Sequence, residues 1–260
     1  MSLSRSLVLS VVGIVATVPL AAQECACPPK PPEPKKPPYE FVADFSLASS
    51  QGNQEVLTTA LGQRYSYAWP SWKLSQYANL VYGRANGVTN AQLYTFGVRG
   101  DRKLTSNIAL FVRFDALRNE PAGLRSVLSE AAGLSWTALK TDRTELRLDA
   151  GLGALQRRLV GADSTTNDFV GNLDGFFRQN FTKDAYFEQT VNFVPNFTTS
   201  DAWLLTARSS VVAPISRQLG LKLGYLITFN NAPAFRPAPN QAERFRKFDG
   251  LFTAGLQFTY

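Results

Sequence analysis

The run Leu219-Gly220-Leu221-Lys222-Leu223-Gly224-Tyr225-Leu226-Ile227-Thr228-Phe229 decides the fold. Its odd positions carry Leu219, Leu221, Leu223, Tyr225, Ile227 and Phe229, and its even positions carry Gly220, Lys222, Gly224 and Thr228, with Leu226 the exception. A period of two places successive side chains on opposite faces of an extended strand. The same alternation runs from Trp203 (Trp203, Leu205, Ala207, Val211 and Ala213 against Thr206, Arg208 and Ser210). It recurs from Leu146, where Leu146, Leu148, Ala150, Leu152 and Ala154 oppose Glu145, Arg147, Asp149, Gly151 and Gly153. A soluble sandwich also alternates, but its polar face is usually rich in Lys, Thr and Ser. Here one face is long and free of charge, and the other mixes glycine, small polar residues and charges of both signs. That pattern suits lipid outside and a tight polar interior.

Segments of this kind repeat from Tyr39 onward, each about 9 to 14 residues long, near the length a tilted strand needs to cross a bilayer. About twelve strands are predicted, starting near Phe41, Glu55, Trp72, Asn90, Asn107, Ser126, Thr144, Asp168, Ala185, Asp201, Leu219 and Lys247. The fold class is therefore all-β, a transmembrane antiparallel up-and-down β-barrel occupying residues 39–260. An even strand number returns both chain ends to one rim. Short turns are expected at 68–71, 102–106, 140–143, 182–184 and 215–218, on the periplasmic side. Longer outside loops are expected near 85–89, 120–125, 160–167 and 230–246, while the one near Gln51-Gly52-Asn53 is short. Tyr67, Trp69, Trp72, Trp136, Phe181, Phe187 and Tyr260 gather near one set of strand ends, and Tyr82, Phe169, Trp203 and Phe229 near the other. Amphipathic rings favour the two bilayer interfaces.

The N-terminus reads as an export signal. Arg5 precedes an apolar stretch from Leu7 to Ala22, broken by Gly13 and Pro19 and too short to span comfortably. Ala21 and Ala22 offer a cleavage site near Gln23, which makes 1–23 a signal peptide; a retained anchor is the alternative. Residues 24–38 form a Cys-containing, proline-rich periplasmic linker, extended as polyproline II. Its Cys25 and Cys27 are the chain's two cysteines and cannot staple a barrel. Glu24 stands where a lipoprotein signal would carry a small apolar residue.

The residues Phe252, Ala254, Leu256, Phe258 and Tyr260 alternate up to an aromatic end. Phe252, Leu256, Phe258 and Tyr260 resemble the signal that barrel-assembly machinery reads on its clients. Several further stretches resemble a family of salt-induced outer membrane proteins, barrels without an assigned function. They are the Phe45 to Asn53 hairpin, Lys103-Leu104-Thr105 with the strand Phe111 to Asp115, and above all Thr141-Asp142-Arg143-Thr144-Glu145-Leu146-Arg147-Leu148-Asp149-Ala150-Gly151-Leu152-Gly153. With the last strand, the resemblance spans roughly 40–260; Gln54 stands where that family often has Thr. It implies a barrel in the bacterial outer membrane, and it carries over no catalytic residue.

Composition narrows the chemistry. The chain holds no histidine, which removes Ser-His-Asp and Cys-His catalysis and most zinc sites. No glycine-rich phosphate loop leads from a strand into a helix. No catalytic, cofactor-binding or metal residue is assigned, and the chain is not expected to be an enzyme. Without Arg5 the formal balance is 26 basic against 20 acidic residues, about +6, spread without a basic block among stacking aromatics, so nucleic acid is not an expected partner. Outer-membrane lipids, the assembly machinery and a small anionic solute are. Alternation places Arg64, Lys73, Arg99, Arg113, Asp115, Glu145, Arg147, Asp149, Asp174, Arg178, Glu188, Arg208 and Lys222 inward as lumen candidates. With turns at 182–184 and 197–199, Arg178, Glu188 and Arg208 would share one row. Such a row either plugs a narrow barrel or, in a wet lumen, favours anions. The basic 230–246 loop could bind surface phosphates or remain simply solvated.

Overall fold

The computed structural model describes residues 37–50, 56–85, 87–120, 123–233, 235 and 243–260. The signal, both cysteines, most of the proline-rich linker and the Gln51–Asn53 turn lie outside the described residues.

Twelve strands follow one another: β1 (Tyr39–Ser50), β2 (Val56–Ala68), β3 (Trp72–Ala85), β4 (Val88–Lys103), β5 (Ile108–Asn119), β6 (Leu124–Lys140), β7 (Thr144–Leu159), β8 (Thr165–Asn180), β9 (Tyr186–Val194), β10 (Leu204–Pro214), β11 (Leu219–Asn230) and β12 (Phe248–Thr259). Each pairs antiparallel with its neighbours, and β1 pairs with β12, so the sheet closes into a barrel. Closure leaves no open edge, the condition a sheet must meet to satisfy its backbone in hydrocarbon. No helix among the described residues is long and apolar enough to cross a membrane. The sequence-based strand starts differ from these by no more than three residues.

Side chains sort by parity around the whole ring. Phe45, Leu61, Leu74, Phe96, Val112, Leu134, Leu152, Leu173, Val191, Val211, Leu223 and Phe252, one from each strand, stand exposed on the outer wall. This is a continuous apolar belt of the kind that faces lipid in transmembrane barrels. Polar outer-wall groups satisfy one another: the Gln63 and Gln76 amides exchange hydrogen bonds at 2.9 and 3.0 Å. Aromatic rings frame both rims. Tyr67 and Trp69 lie 4.4 Å apart, and Tyr39 and Tyr260 6.3 Å, at the rim of the chain ends. Phe169 and Phe197 lie 5.7 Å apart, and Trp203 and Phe229 stack at 5.0 Å, at the opposite rim.

Three of the expected outside loops are tighter than the sequence suggested. Gly87, Gly123 and Gly161 adopt φ of 78°, 81° and 80°, so the chain reverses within a few residues and the flanking strands run to the turns. The connection from β9 to β10 is instead longer, 195–203 rather than 197–199, held by Asn196 Oδ1, which accepts from the Thr198 and Thr199 amides.

Described residues at the two ends of the β11–β12 connection make contacts outside their own strands. Asn231 Nδ2 donates to the Asp201 carbonyl at 2.8 Å, and the Arg244 guanidinium covers the Phe235 ring at 4.5 Å. A Cβ built on Gly123 would fall 2.6 Å from the Phe245 ring. Gly123 lies in the β5–β6 turn, and β6 is five strands from β11, as β5 is from β12. Phe245 therefore straps across the mouth. Beneath that mouth, Leu124, Val127, Leu155, Val170 and Val194 form a buried inward cluster, packed by Leu117, Leu159 and Leu204.

Candidate lumen site

The parity that sends leucines outward sends charge inward. Arg64, Lys73, Arg99, Arg113, Asp115, Glu145, Arg147, Asp149, Asp174, Arg178, Glu188, Arg208 and Lys222 all occupy inward positions of the ladder. Closure then brings together side chains far apart in sequence. Arg64 on β2 meets Glu188 on β9 at 3.3 Å. Those strands stand five apart in the twelve-strand ring, nearly opposite, so this pair spans the interior. Arg178 approaches the same carboxylate at 4.0 Å, and its guanidinium lies 3.8 Å from the Tyr186 ring centre.

A second cluster joins β4 to β8. Arg99 bonds Asp101 at 2.7 Å and also Asp149, which accepts from Ser135 Oγ at 2.5 Å and lies 3.5 Å from Arg147. Arg113 reaches Asp115 at 2.8 Å, Asp174 at 2.7 Å and Asn172 Oδ1 at 2.7 Å. Tyr77 Oη donates to Asp115 at 2.7 Å. Glycine makes room here: a Cβ on Gly97 would collide with the Tyr77 ring. Lys222 on β11 reaches Asp44 on β1 at 2.7 Å, and Arg157 reaches Asp168 at 2.7 Å nearer the strapped mouth. Charged groups removed from bulk water persist when paired and hydrogen-bonded in this way.

One sequence expectation changes. Arg178 and Glu188 do face each other in register, but the residue opposite Glu188 on β10 is Ser210; Arg208 faces Thr190 instead. The longer β9–β10 connection moves the register by two residues, which keeps Arg208 on the same face but takes it out of the row. Sequence reading also omitted Asp44, Asp101, Arg157 and Asp168, and Tyr77 and Asn172 among the neutral partners. The period-two signal covered them, but Asp101 sits beside an expected turn and Arg157 lies past the point where the alternation was followed. Glu145 faces Arg178 in register, and Lys73 faces Asp101. Among the described residues no group of three or more His, Cys, Asp or Glu is placed to hold a metal ion. Phe252, Leu256 and Phe258 point outward on β12, and Tyr260 is exposed beside the β1–β12 seam, where its amide bonds the Phe41 carbonyl at 2.9 Å.

Known structures share this architecture. The NanC porin is 12% identical, with a TM-score of 0.51, over 84% of this chain and 98% of that one. The translocator domain of the autotransporter NalP from Neisseria meningitidis is 9% identical, with a TM-score of 0.46, over 85% and 86%. An anion-selective porin from Comamonas acidovorans is 7% identical, with a TM-score of 0.42, over 85% and 98%. At such identities the likeness is one of fold, that of outer-membrane β-barrels. No curated protein matches the chain. The profile of a family described as protein of unknown function, DUF481, matches residues 43–260. A match over that length of the barrel, from the first strand to the last, makes the chain a member of the DUF481 family.

Proposed function

We propose that the barrel is a passive, narrow channel for small solutes with a weak preference for anions, working in the bacterial outer membrane without cofactor or catalysis. One observation carries this reading: at three of the interior ion pairs the arginine is far more exposed than the carboxylate it holds. The side chain of Arg64 is 47% exposed, while its partner Glu188 is 10% exposed. Arg147 is 30% exposed and its partner Asp149 is 3% exposed. Arg178 is 29% exposed, again over the covered Glu188. A solute passing Arg64, Arg147 and Arg178 therefore meets guanidinium groups, with Glu188 and Asp149 behind them. Rings of accessible cationic side chains favour anions, and partly neutralised ones favour them weakly.

In this reading residues 1–23 are a cleaved export signal, 24–38 a periplasmic linker, and Phe252, Leu256, Phe258 and Tyr260 the contact for the assembly machinery. The test is the reversal potential of purified protein in planar bilayers under a KCl gradient. Stepwise currents with a reversal potential displaced toward chloride are expected, and Arg64→Ala should move it toward the cation side. Silent bilayers at high protein load would refute the channel.

A specific observation favours a second reading. The Arg64–Glu188 pair spans the interior, and inward Phe111, Val170 and Asn172 are fully covered. A barrel filled to that degree could be a closed structural or loop-presenting protein linked to envelope salt stress. It would give no current with either the wild type or Arg64→Ala.

A further inference from the structure

Seven arginines face the interior among the described residues, and six of them reach an acid within 4.0 Å: Arg64, Arg99, Arg113, Arg147, Arg157 and Arg178. The seventh, Arg208, has no hydrogen bond or ion pair to any described residue. It is nevertheless deep inside the barrel, with Tyr77, Arg64, Glu188 and Asp44 as its electrostatic neighbours, and it is exposed to solvent there. Being enclosed by the wall and yet wetted means that it borders the aqueous part of the lumen.

The two nearby acids are already engaged. Glu188 is held by Arg64 and Arg178, and Asp44 by Lys222. Four cations thus share two carboxylates, and the surplus falls at Arg208. Thr190 on β9 and Leu226 on β11 lie directly opposite in register, and Thr206 flanks it two positions away on the same strand face, so the neutral donors beside it are threonine hydroxyls. A planar guanidinium offers paired N–H donors that match a carboxylate or phosphate edge.

We infer that Arg208 is an oxyanion-binding residue partway along the lumen, taking the carboxylate or phosphate group of a solute, with the hydroxyls of Thr190 and Thr206 beside it. The inference deepens the channel reading and rests on it only in that the solute must enter the lumen. A fixed cation satisfied by acids tunes selectivity, whereas one left to the solute binds it saturably.

The experiment is ligand-observed NMR on the full chain in detergent micelles, with inorganic phosphate (31P linewidth) and acetate (1H saturation transfer) as probes, compared among wild type, Arg208→Gln, Arg208→Lys and the loop variant Lys247→Ala. Folding of each variant is checked by its heat-modifiable mobility on gels. Wild type and Lys247→Ala should show saturable binding of both probes. Arg208→Gln should weaken it about tenfold or more, and Arg208→Lys should fall between them, retaining charge but losing the paired donors. Binding of one probe alone would identify which oxyanion the site takes. Equal binding by wild type and folded Arg208→Gln would overturn the proposal. Because binding is read without current, silent bilayers with intact binding would defeat the channel and leave this site standing. Conductance without Arg208-dependent binding would do the reverse.

Discussion

Asp149 shows how single residues hold the interior. Arg99, Arg147 and Ser135 converge on its carboxylate, which is almost fully covered. Neutralising it leaves two arginines with one acid fewer. Asp149→Asn should therefore cost about 3–5 kcal/mol, the usual cost of removing one partner of a covered pair, read as a lower denaturant midpoint in detergent; an unchanged midpoint would mean water already screens the cluster. Gly97 belongs to the same scale, because any side chain there meets Tyr77 and the Asp115 oxygen that Tyr77 bonds. Which residues face inward was legible from the sequence, since parity alone assigns Arg99 and Asp149 to one face. Which of them meet was not. Lys222 and Asp44 are 178 positions apart, and the β1–β12 seam is what brings β11 within reach of β1.

At the scale of elements, strands were easier to read than turns. Alternation through Leu146–Ala154 marks β7 without ambiguity, but nothing in the period of two says how soon a chain reverses. Gly87, Gly123 and Gly161 did carry that signal, as positions where only glycine turns cheaply. Gly87→Ala should destabilise the β3–β4 hairpin by about 1–2 kcal/mol, measured by the same denaturant midpoint; no change would argue that the turn relaxes to negative φ. The β9–β10 register was misjudged by two residues because Asn196 caps a wider connection. The strap was not legible at all, since Phe245 reaches Gly123 only once the barrel closes. Phe245→Ala should free the mouth and raise single-channel conductance, and identical current amplitudes would show that the strap does not lie on the conducting path.

The barrel of residues 37–260 sets an apolar outer face against a charged inner one, and the two faces should answer the same substitution differently. Leu152 lies mid-strand on the outer wall, so Leu152→Arg should cost about 2–4 kcal/mol in reconstituted membranes, measured as a lower unfolding midpoint or failed insertion; a neutral effect would place that wall in water. The closed twelve-strand fold was readable from the sequence because the bilayer imposes both strand length and alternation. Which charges stand open inside it was not, because that depends on exposure within the closed ring. Spin labels placed one at a time along β11, from Gly220 to Thr228, in a background with Cys25 and Cys27 replaced, test the account most directly. Collision rates with oxygen in lipid should alternate, high at Leu221, Leu223, Tyr225 and Ile227 and low at Gly220, Lys222, Gly224, Leu226 and Thr228. A flat profile, or a rise and fall with helical period, would contradict it.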